Sequence, residues 1–230
     1  MKSQIRRLLR RLGYDLIRSR PSLIDFLASR SVDLVIDVGA NTGQFGIRLR
    51  RYGYRGRIVS LEPVSSVFAD LEGNAAGDPN WTVMKFAGGA RNEFLEIGVS
   101  KNTEFSSIKP VTQDALEFDP ASKPISKETI EVRSLDSLFK DLQGTIFLKI
   151  DTQGYESSVL DGAEELLKKV VGVQMELPCI HLYEDVWSLA DAVNRMETNG
   201  FRLSQVEPVN YSHTDRVSLV EVDCIFSRSA

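Results

Sequence analysis

Val35-Ile36-Asp37-Val38-Gly39-Ala40-Asn41-Thr42-Gly43-Gln44-Phe45 decides the reading of this 230-residue chain. An apolar run enters a Gly/Asn turn and leaves it with helical spacing, so residues 32–38 read as a buried strand and 44–52 as a helix. Nucleotide-like ligands sit at such turns. A missing Cβ lets them approach the backbone, and the first N–H groups of the helix face them. A phosphate loop needs G-x-x-x-x-G-K-[ST], whereas Gln44 stands five residues after Gly39 and no lysine follows it. The dinucleotide fingerprint G-x-G-x-x-G needs glycine where this chain has Asn41 and Gln44. Asn41 still fits a turn that requires positive φ.

The acid ahead of the glycines favours a third site type. Asp37 would repel a pyrophosphate but attract the ammonium and sulfonium of S-adenosylmethionine (SAM). The next strand, Arg57–Leu61, runs into Glu62-Pro63. An acid at the tip of a neighbouring strand can accept both ribose hydroxyls, so Glu62 is the expected ribose ligand. The plainer alternatives are that Asp37 caps the turn and that Glu62 is a solvated strand end.

The same rhythm continues outward. A helix is expected over 64–74, with Val67, Phe68 and Leu71 inward, then a strand over 81–86, a helix over 135–141 and a strand over 145–150. A helix over 156–169, a strand over 171–177, a helix over 186–199 stopped by Gly200, and strands over 201–206 and 219–226 complete the series. Two strand candidates, 94–99 and 129–133, flank a polar stretch, 101–127, long for a structureless loop. One enlarged α/β domain over 31–230 follows, preceded by a basic segment over 1–30. The composition is that of a soluble globular protein, with 42% apolar and 26% charged residues. Cys179 and Cys224 form no C-x-x-C pair, and no apolar run reaches the length of a membrane span, which points to the cytoplasm.

The net charge of −4 conceals an asymmetry. Lys2, Arg6, Arg7, Arg10, Arg11, Arg18 and Arg20 against Asp15 give residues 1–20 a charge of +6 and leave −10 on the rest. An acidic body argues against a nucleic-acid partner. Ile5, Leu8, Leu9, Leu12 and Leu16 fall on one helical face, so the basic segment reads as a helix packed on the domain or as one lying on an anionic membrane surface.

Several segments resemble the FkbM-type SAM-dependent methyltransferases. These are Val35 to Gly43, Ser60-Leu61-Glu62-Pro63, Phe105-Ser106-Ser107-Ile108, Ser134-Leu135-Asp136-Ser137-Leu138, Leu148-Lys149-Ile150-Asp151-Thr152-Gln153-Gly154-Tyr155-Glu156 and Gln174-Met175-Glu176-Leu177. The likeness runs from about residue 5 to residue 227. It implies a class I methyltransferase (Rossmann-like) fold: a doubly wound, seven-stranded, mostly parallel sheet with one antiparallel strand near the C-terminus. It also implies transfer of the SAM methyl group, usually to a hydroxyl oxygen, often on a sugar or natural product. Gln153 departs from the pattern, where the family frequently carries an acid, so the acceptor here could differ. The likeness makes Ser106 and Ser107 contacts to SAM or acceptor.

Methyl transfer from a sulfonium is a linear displacement, so alignment and exclusion of water are the main tasks, and a sugar hydroxyl also needs a base or a metal. Asp151 and Glu176 end neighbouring strands and are expected to converge beside the methyl group, as holders of Mg2+ or as base; capping roles are the plainer reading. Lys149 alternates onto the side of Asp151, where a buried ammonium would need such a partner. His181, five residues after Glu176, is a further base candidate, and His213 a weaker one. Cofactor contacts are expected from Asp37, Gly39, Ala40, Asn41, Gly43, Glu62, Ala87 and Ser107, with the backbone at Phe86 and Ala87 near the adenine. The acceptor is expected to be a saccharide or small molecule. The alternatives are an NAD-dependent oxidoreductase and a SAM- or nucleoside-binding module without catalysis.

Overall fold

The computed structural model describes residues 2–12 and 21–228. Ten strands run along these residues: β1 (Leu34–Val38), β2 (Arg57–Leu61), β3 (Trp81–Met84), β4 (Ala87–Gly88), β5 (Glu93–Ser100), β6 (Pro124–Arg133), β7 (Ile146–Ile150), β8 (Val170–Pro178), β9 (Phe201–Tyr211) and β10 (Leu219–Arg228). Nine α-helices accompany them: α1 (Lys2–Arg11), α2 (Leu23–Ser29), α3 (Gln44–Arg51), α4 (Ser65–Ala75), α5 (Gln113–Phe118), α6 (Leu135–Phe139), α7 (Glu156–Asp161), α8 (Glu164–Leu167) and α9 (Leu189–Thr198).

Seven strands form one sheet in the order β3-β2-β1-β7-β8-β10-β9. The first five are parallel, and β10 runs against both of its neighbours. Both faces of β1 and β7 are covered, and each strand is buried throughout and apolar except for one charged residue, Asp37 and Lys149. Alternate residues serve two cores. Leu34, Ile36, Val38, Leu148, Ile150, Val173 and Met175 pack with side chains of α6 to α9. Val35, Ile58, Phe147 and Ile225 pack with those of α2, α3 and α4.

On this second face the sheet turns polar one step further along. Ser60, Asp37, Lys149 and Gln174 stand side by side in register on β2, β1, β7 and β8, and Asp223 of β10 pairs with Glu176 of β8. Lys149, Gln174, Glu176 and Asp223 of this row line the site, and Ser60 and Asp37 lie beneath it.

Several elements differ from the sequence reading. The helix expected over 156–169 is two helices, broken at Gly162, where a Cβ would stand 2.0 Å from the Gly89 carbonyl oxygen. The polar stretch over 101–127 is folded: its polar residues are caps, with Asn102 receiving Glu104 N–H, Thr112 receiving Ala115 N–H and Asp119 receiving Ala121 N–H. The strand expected over 81–86 stops at Met84, and the chain crosses into a separate sheet of order β4-β6-β5, which contains both flanking strand candidates. Gly200 has φ +80° and ends α9 as expected.

Helix α2 is held by a capping box between Ser22 and Asp25, and Phe26 meets Phe147 edge-on at 5.6 Å. The core therefore begins upstream of residue 31. In α1, Ile5, Arg7 and Arg11 are exposed, as is Leu12 just after it; Leu16, Asp15, Arg18 and Arg20 lie outside the described residues. Among the described residues no helix is long and apolar enough to cross a membrane.

Candidate functional site

A cavity of about 410 Å³ opens at the C-terminal ends of the parallel strands, the place where open α/β sheets bind ligands. Following the strand order, one end is lined by Glu62, Gly39, Ala40 and Asn41, with Ala87 and Gly88 beside them. Asp151 stands at the tip of β7, and beyond it come Gln174, Glu176, Glu221 and Asp223. The Thr103–Phe105 turn covers the first end. Asn41 Nδ2 donates to Thr103 Oγ1 at 3.3 Å, and Gln44 Nε2 donates to Glu104 Oε1 at 3.2 Å.

The turn after β1 has the required left-handed residues: Gly39 at φ +79°, Asn41 at φ +48° and Gly43 at φ +92°. The glycines serve the protein's own packing. A Cβ on Gly39 would lie 1.8 Å from the Asp151 carbonyl oxygen, so the absent side chain admits the β7 tip. A Cβ on Gly43 would meet Leu71 at 2.9 Å and Trp81 at 3.1 Å, and Gly43 is not on the cavity wall. The sequence reading gave these absences to a ligand; the protein's own residues stand where both Cβ atoms would be, while Gly39 itself still lines the cavity.

Glu62 does line the cavity, although only 6% exposed. Its Oε2 accepts Asn41 N–H at 3.0 Å and its Oε1 accepts Val64 N–H at 2.9 Å. Burial pushes its carboxyl up to about 7 against these two hydrogen bonds.

Asp37 is different. The two-residue period of β1 turns its fully buried carboxylate under the floor, where Ser60 Oγ donates to Oδ2 at 3.3 Å and Lys149 Nζ stands 3.3 Å from Oδ1. It is not on the cavity wall. Lys149 also donates to Asp151 Oδ2 at 3.1 Å. Burial would lower the lysine, but the Asp151 and Asp37 carboxylates overcome it and hold the ammonium above the ordinary lysine value. Lys149 is thus held as a cation between the two carboxylates.

A family model described as the methyltransferase FkbM domain matches residues 37–203. The chain belongs to the FkbM methyltransferase family. The solved structure of methyltransferase FkbM from Methylobacillus flagellatus KT has the same fold, at TM-score 0.50 and 18% identity over 85% of this chain and 43% of that one. This chain therefore spans less than half the length of that protein. The magnesium protoporphyrin IX methyltransferase of Synechocystis PCC 6803, solved with SAM bound, aligns at TM-score 0.50 and 12% identity over 99% of this chain and 97% of that one. No curated protein matches the chain. The fold is that of class I SAM-dependent methyltransferases, and the oxidoreductase alternative gives way to the family match.

The FkbM cavity fits SAM on its own chemistry. Glu62 presents acceptor-only oxygens whose second lone pairs remain for two ribose hydroxyls. SAM bound there supplies a methyl group made electrophilic by its sulfonium. The same cavity does not fit Mg2+. Gln153 Nε2 donates to Asp151 Oδ1 at 2.9 Å and to Glu176 Oε1 at 3.2 Å, and Lys149 takes Asp151 Oδ2, so donors fill the space a cation would need between the carboxylates. Among the described residues no group of three or more ligating side chains is placed to hold a metal.

Of the other expected site residues, Ala87 and Ser106 line the cavity. Ser107 is buried behind the wall, donating to the Gln153 carbonyl at 2.6 Å. Phe86 lies off the wall, with Arg133 over its ring at 5.3 Å. His181 is exposed and off the wall, since the chain turns after β8, and its carbonyl accepts Thr112 Oγ1 at 2.9 Å. His213 stacks on Phe118 at 4.6 Å, also away from the cavity.

The sequence reading missed Gln174, Glu221 and Asp223 as wall residues and Gln153 as the bond between Asp151 and Glu176. Tyr183 fixes that bond by donating from its hydroxyl to Gln153 Oε1 at 2.7 Å.

Proposed function

We propose that this FkbM protein transfers the methyl group of SAM to a hydroxyl oxygen of a saccharide or small metabolite. The observation that carries this reading is the placement of Asp151. It is the carboxylate at the middle strand tip of the cavity, between the Glu62 end and the acidic wall, and it is oriented from behind by Lys149 and Gln153. Its side chain keeps 28% exposure, whereas Lys149 beneath it keeps 9%.

In this reading the hydroxyl of the acceptor donates to Asp151. As the oxygen–carbon bond forms and the carbon–sulfur bond breaks, the hydroxyl proton passes to Asp151, and S-adenosylhomocysteine leaves with the sulfur electron pair. The hydroxyl becomes strongly acidic only as the new bond forms, so a carboxylate suffices as acceptor. Lys149, locked between Asp37 and Asp151, keeps the Asp151 oxygens in place and their charge compensated. The Thr103–Phe105 turn and the buried Glu62 exclude water from the donor end.

The enzyme acts as a cytoplasmic protein without a nucleic-acid partner, and the exposed Ile5, Arg7 and Arg11 of α1, with Leu12 after it, provide a peripheral contact with an anionic membrane. The test is a methyl-labelled SAM assay over metabolite and glycan extracts, with product NMR separating O-methyl from N-methyl carbon. Asp151→Asn should lower turnover by about 10²-fold or more while SAM still binds. Absence of any labelled product would support a binding module without catalysis, and an N-methyl product would refute the hydroxyl assignment.

A further inference from the structure

The wall beyond Asp151 concentrates negative charge in a way that a methyl donor and a hydroxyl do not require. Asp223 faces Glu176 across the β8–β10 pair, and Glu221 lies one step along the same face of β10. Glu221 is 7% exposed and its Oε2 receives only Asn210 Nδ2, at 2.8 Å. Gln174, 4% exposed, also lines this part of the cavity, and its carbonyl oxygen Oε1 has no hydrogen-bond partner. A buried amide oxygen left bare is costly unless a ligand donates to it.

Three of these groups are carboxyls and Gln174 adds an amide oxygen, while the cations near them are committed or peripheral: Lys149 to Asp37 and Asp151, and Arg48 at the exposed rim, over the Phe45 ring at 5.4 Å.

We propose that Gln174, Glu176, Glu221 and Asp223 form a seat for an ammonium group on the acceptor, so that the substrate is an amino-bearing polyol such as an amino sugar, methylated on a hydroxyl near its amine. An ammonium brings three donors and one positive charge to a site of acceptors with surplus negative charge. A neutral sugar would satisfy the Gln174 oxygen but leave that surplus uncompensated.

The groups that face the seat are Asp151 and Lys149 from the β7 side, Glu176 from β8, Glu221 and Asp223 from β10, Arg48 from α3, and Tyr183 through Gln153. Burial and mutual repulsion raise Glu176, Glu221 and Asp223 above ordinary carboxyl values, and a cation entering the seat favours their ionised forms.

This assignment rests on the methyl-transfer reading, and calorimetry on protein saturated with S-adenosylhomocysteine tests it separately, with glucosamine and glucose as probes. Glucosamine should bind about tenfold tighter than glucose or better. Glu221→Gln should shrink the preference and Gln174→Glu should enlarge it, while the affinity for S-adenosylhomocysteine stays as in the wild type. Equal binding of the two sugars, no binding of glucosamine, or a preference unmoved by both substitutions overturns the ammonium seat. Loss of S-adenosylhomocysteine binding in the wild type would instead refute the methyltransferase reading. In the extract assay, prior N-acetylation of the pool should abolish labelling; undiminished labelling overturns the seat and leaves O-methylation standing.

Discussion

Glu62→Gln probes the donor end most directly. Each carboxylate oxygen holds one backbone N–H, from Asn41 at 3.0 Å and from Val64 at 2.9 Å, and offers its other lone pair to the cavity. Glutamine keeps one such oxygen and places an NH2 against the other N–H, so one ribose hydroxyl loses its acceptor and the turn is disturbed. A hydrogen bond to a charged group contributes about 1.5–3 kcal/mol, so SAM should bind roughly ten- to a hundredfold more weakly. The pH dependence supplies a second, independent sign. Burial pushes Glu62 up to about 7, and the ribose hydroxyls prefer the ionised form. Wild-type affinity should therefore rise with pH through this value, by about tenfold between pH 6 and pH 8. Asp223, Glu176 and Glu221 titrate in the same cavity, so the diagnostic quantity is the part of the slope that disappears in Glu62→Gln. Calorimetry of SAM binding at pH 6, 7 and 8 measures both. A variant that binds as the wild type does, or that keeps the full slope, would refute the ribose assignment.

Other substitutions test the scaffold around it. Gly39→Ala sets a Cβ 1.8 Å from the Asp151 carbonyl at φ +79°, whereas Gly53→Ala, at φ +96°, meets nothing within 4 Å. The second should cost about 1 kcal/mol from backbone strain, and the first several times that together with methyl transfer; equal melting temperatures for the two would contradict the close approach of β1 and β7. Burial pushes Glu156 up to about 7 from 4.5, against hydrogen bonds that include Thr152 N–H, and its protonated form favours the fold. That contribution is complete below about pH 4.5 and is lost as pH rises through 7. Glu156→Gln keeps an acceptor for Thr152 N–H and Gly154 N–H, so it should be more stable than the wild type at pH 8, by up to about 3 kcal/mol, with the gain vanishing near pH 4.5 in denaturant melts. A gain that does not depend on pH would remove the burial argument. Removal of residues 1–20 should abolish sedimentation with anionic vesicles, and unchanged sedimentation would discard the membrane contact.

How much of this site was legible depended on whether chain-local periodicity carried the information. The β1 and β7 runs were legible because both faces of those strands are buried, and Glu62 because it follows the last residue of a strand and so stands at its tip. Asp37 follows the opposite rule. It lies one residue inside β1, so the two-residue period points it at the floor, and its partner Lys149 is set by the register of a strand distant in sequence. His181 illustrates the same limit, since closeness along the chain to Glu176 was taken for closeness in space.

The acids of the far wall were the hardest to see, yet they leave a local trace. Glu221-Val222-Asp223-Cys224 alternates acid and apolar residue within a strand whose Val222, Cys224 and Phe226 are fully committed to one core. Such alternation marks a strand face turned away from that core, and here that face carries Glu221 and Asp223 onto the cavity wall, where their negative charge constrains what the cavity receives. A sequence that alternates acids with core residues late in an α/β domain thus carries information about the acceptor, whereas the glycine turn carries information only about the donor. The two ends of the cavity separate along the same line, and substitutions at Glu62 and at Glu221 should show no coupling in a double-mutant cycle on SAM affinity.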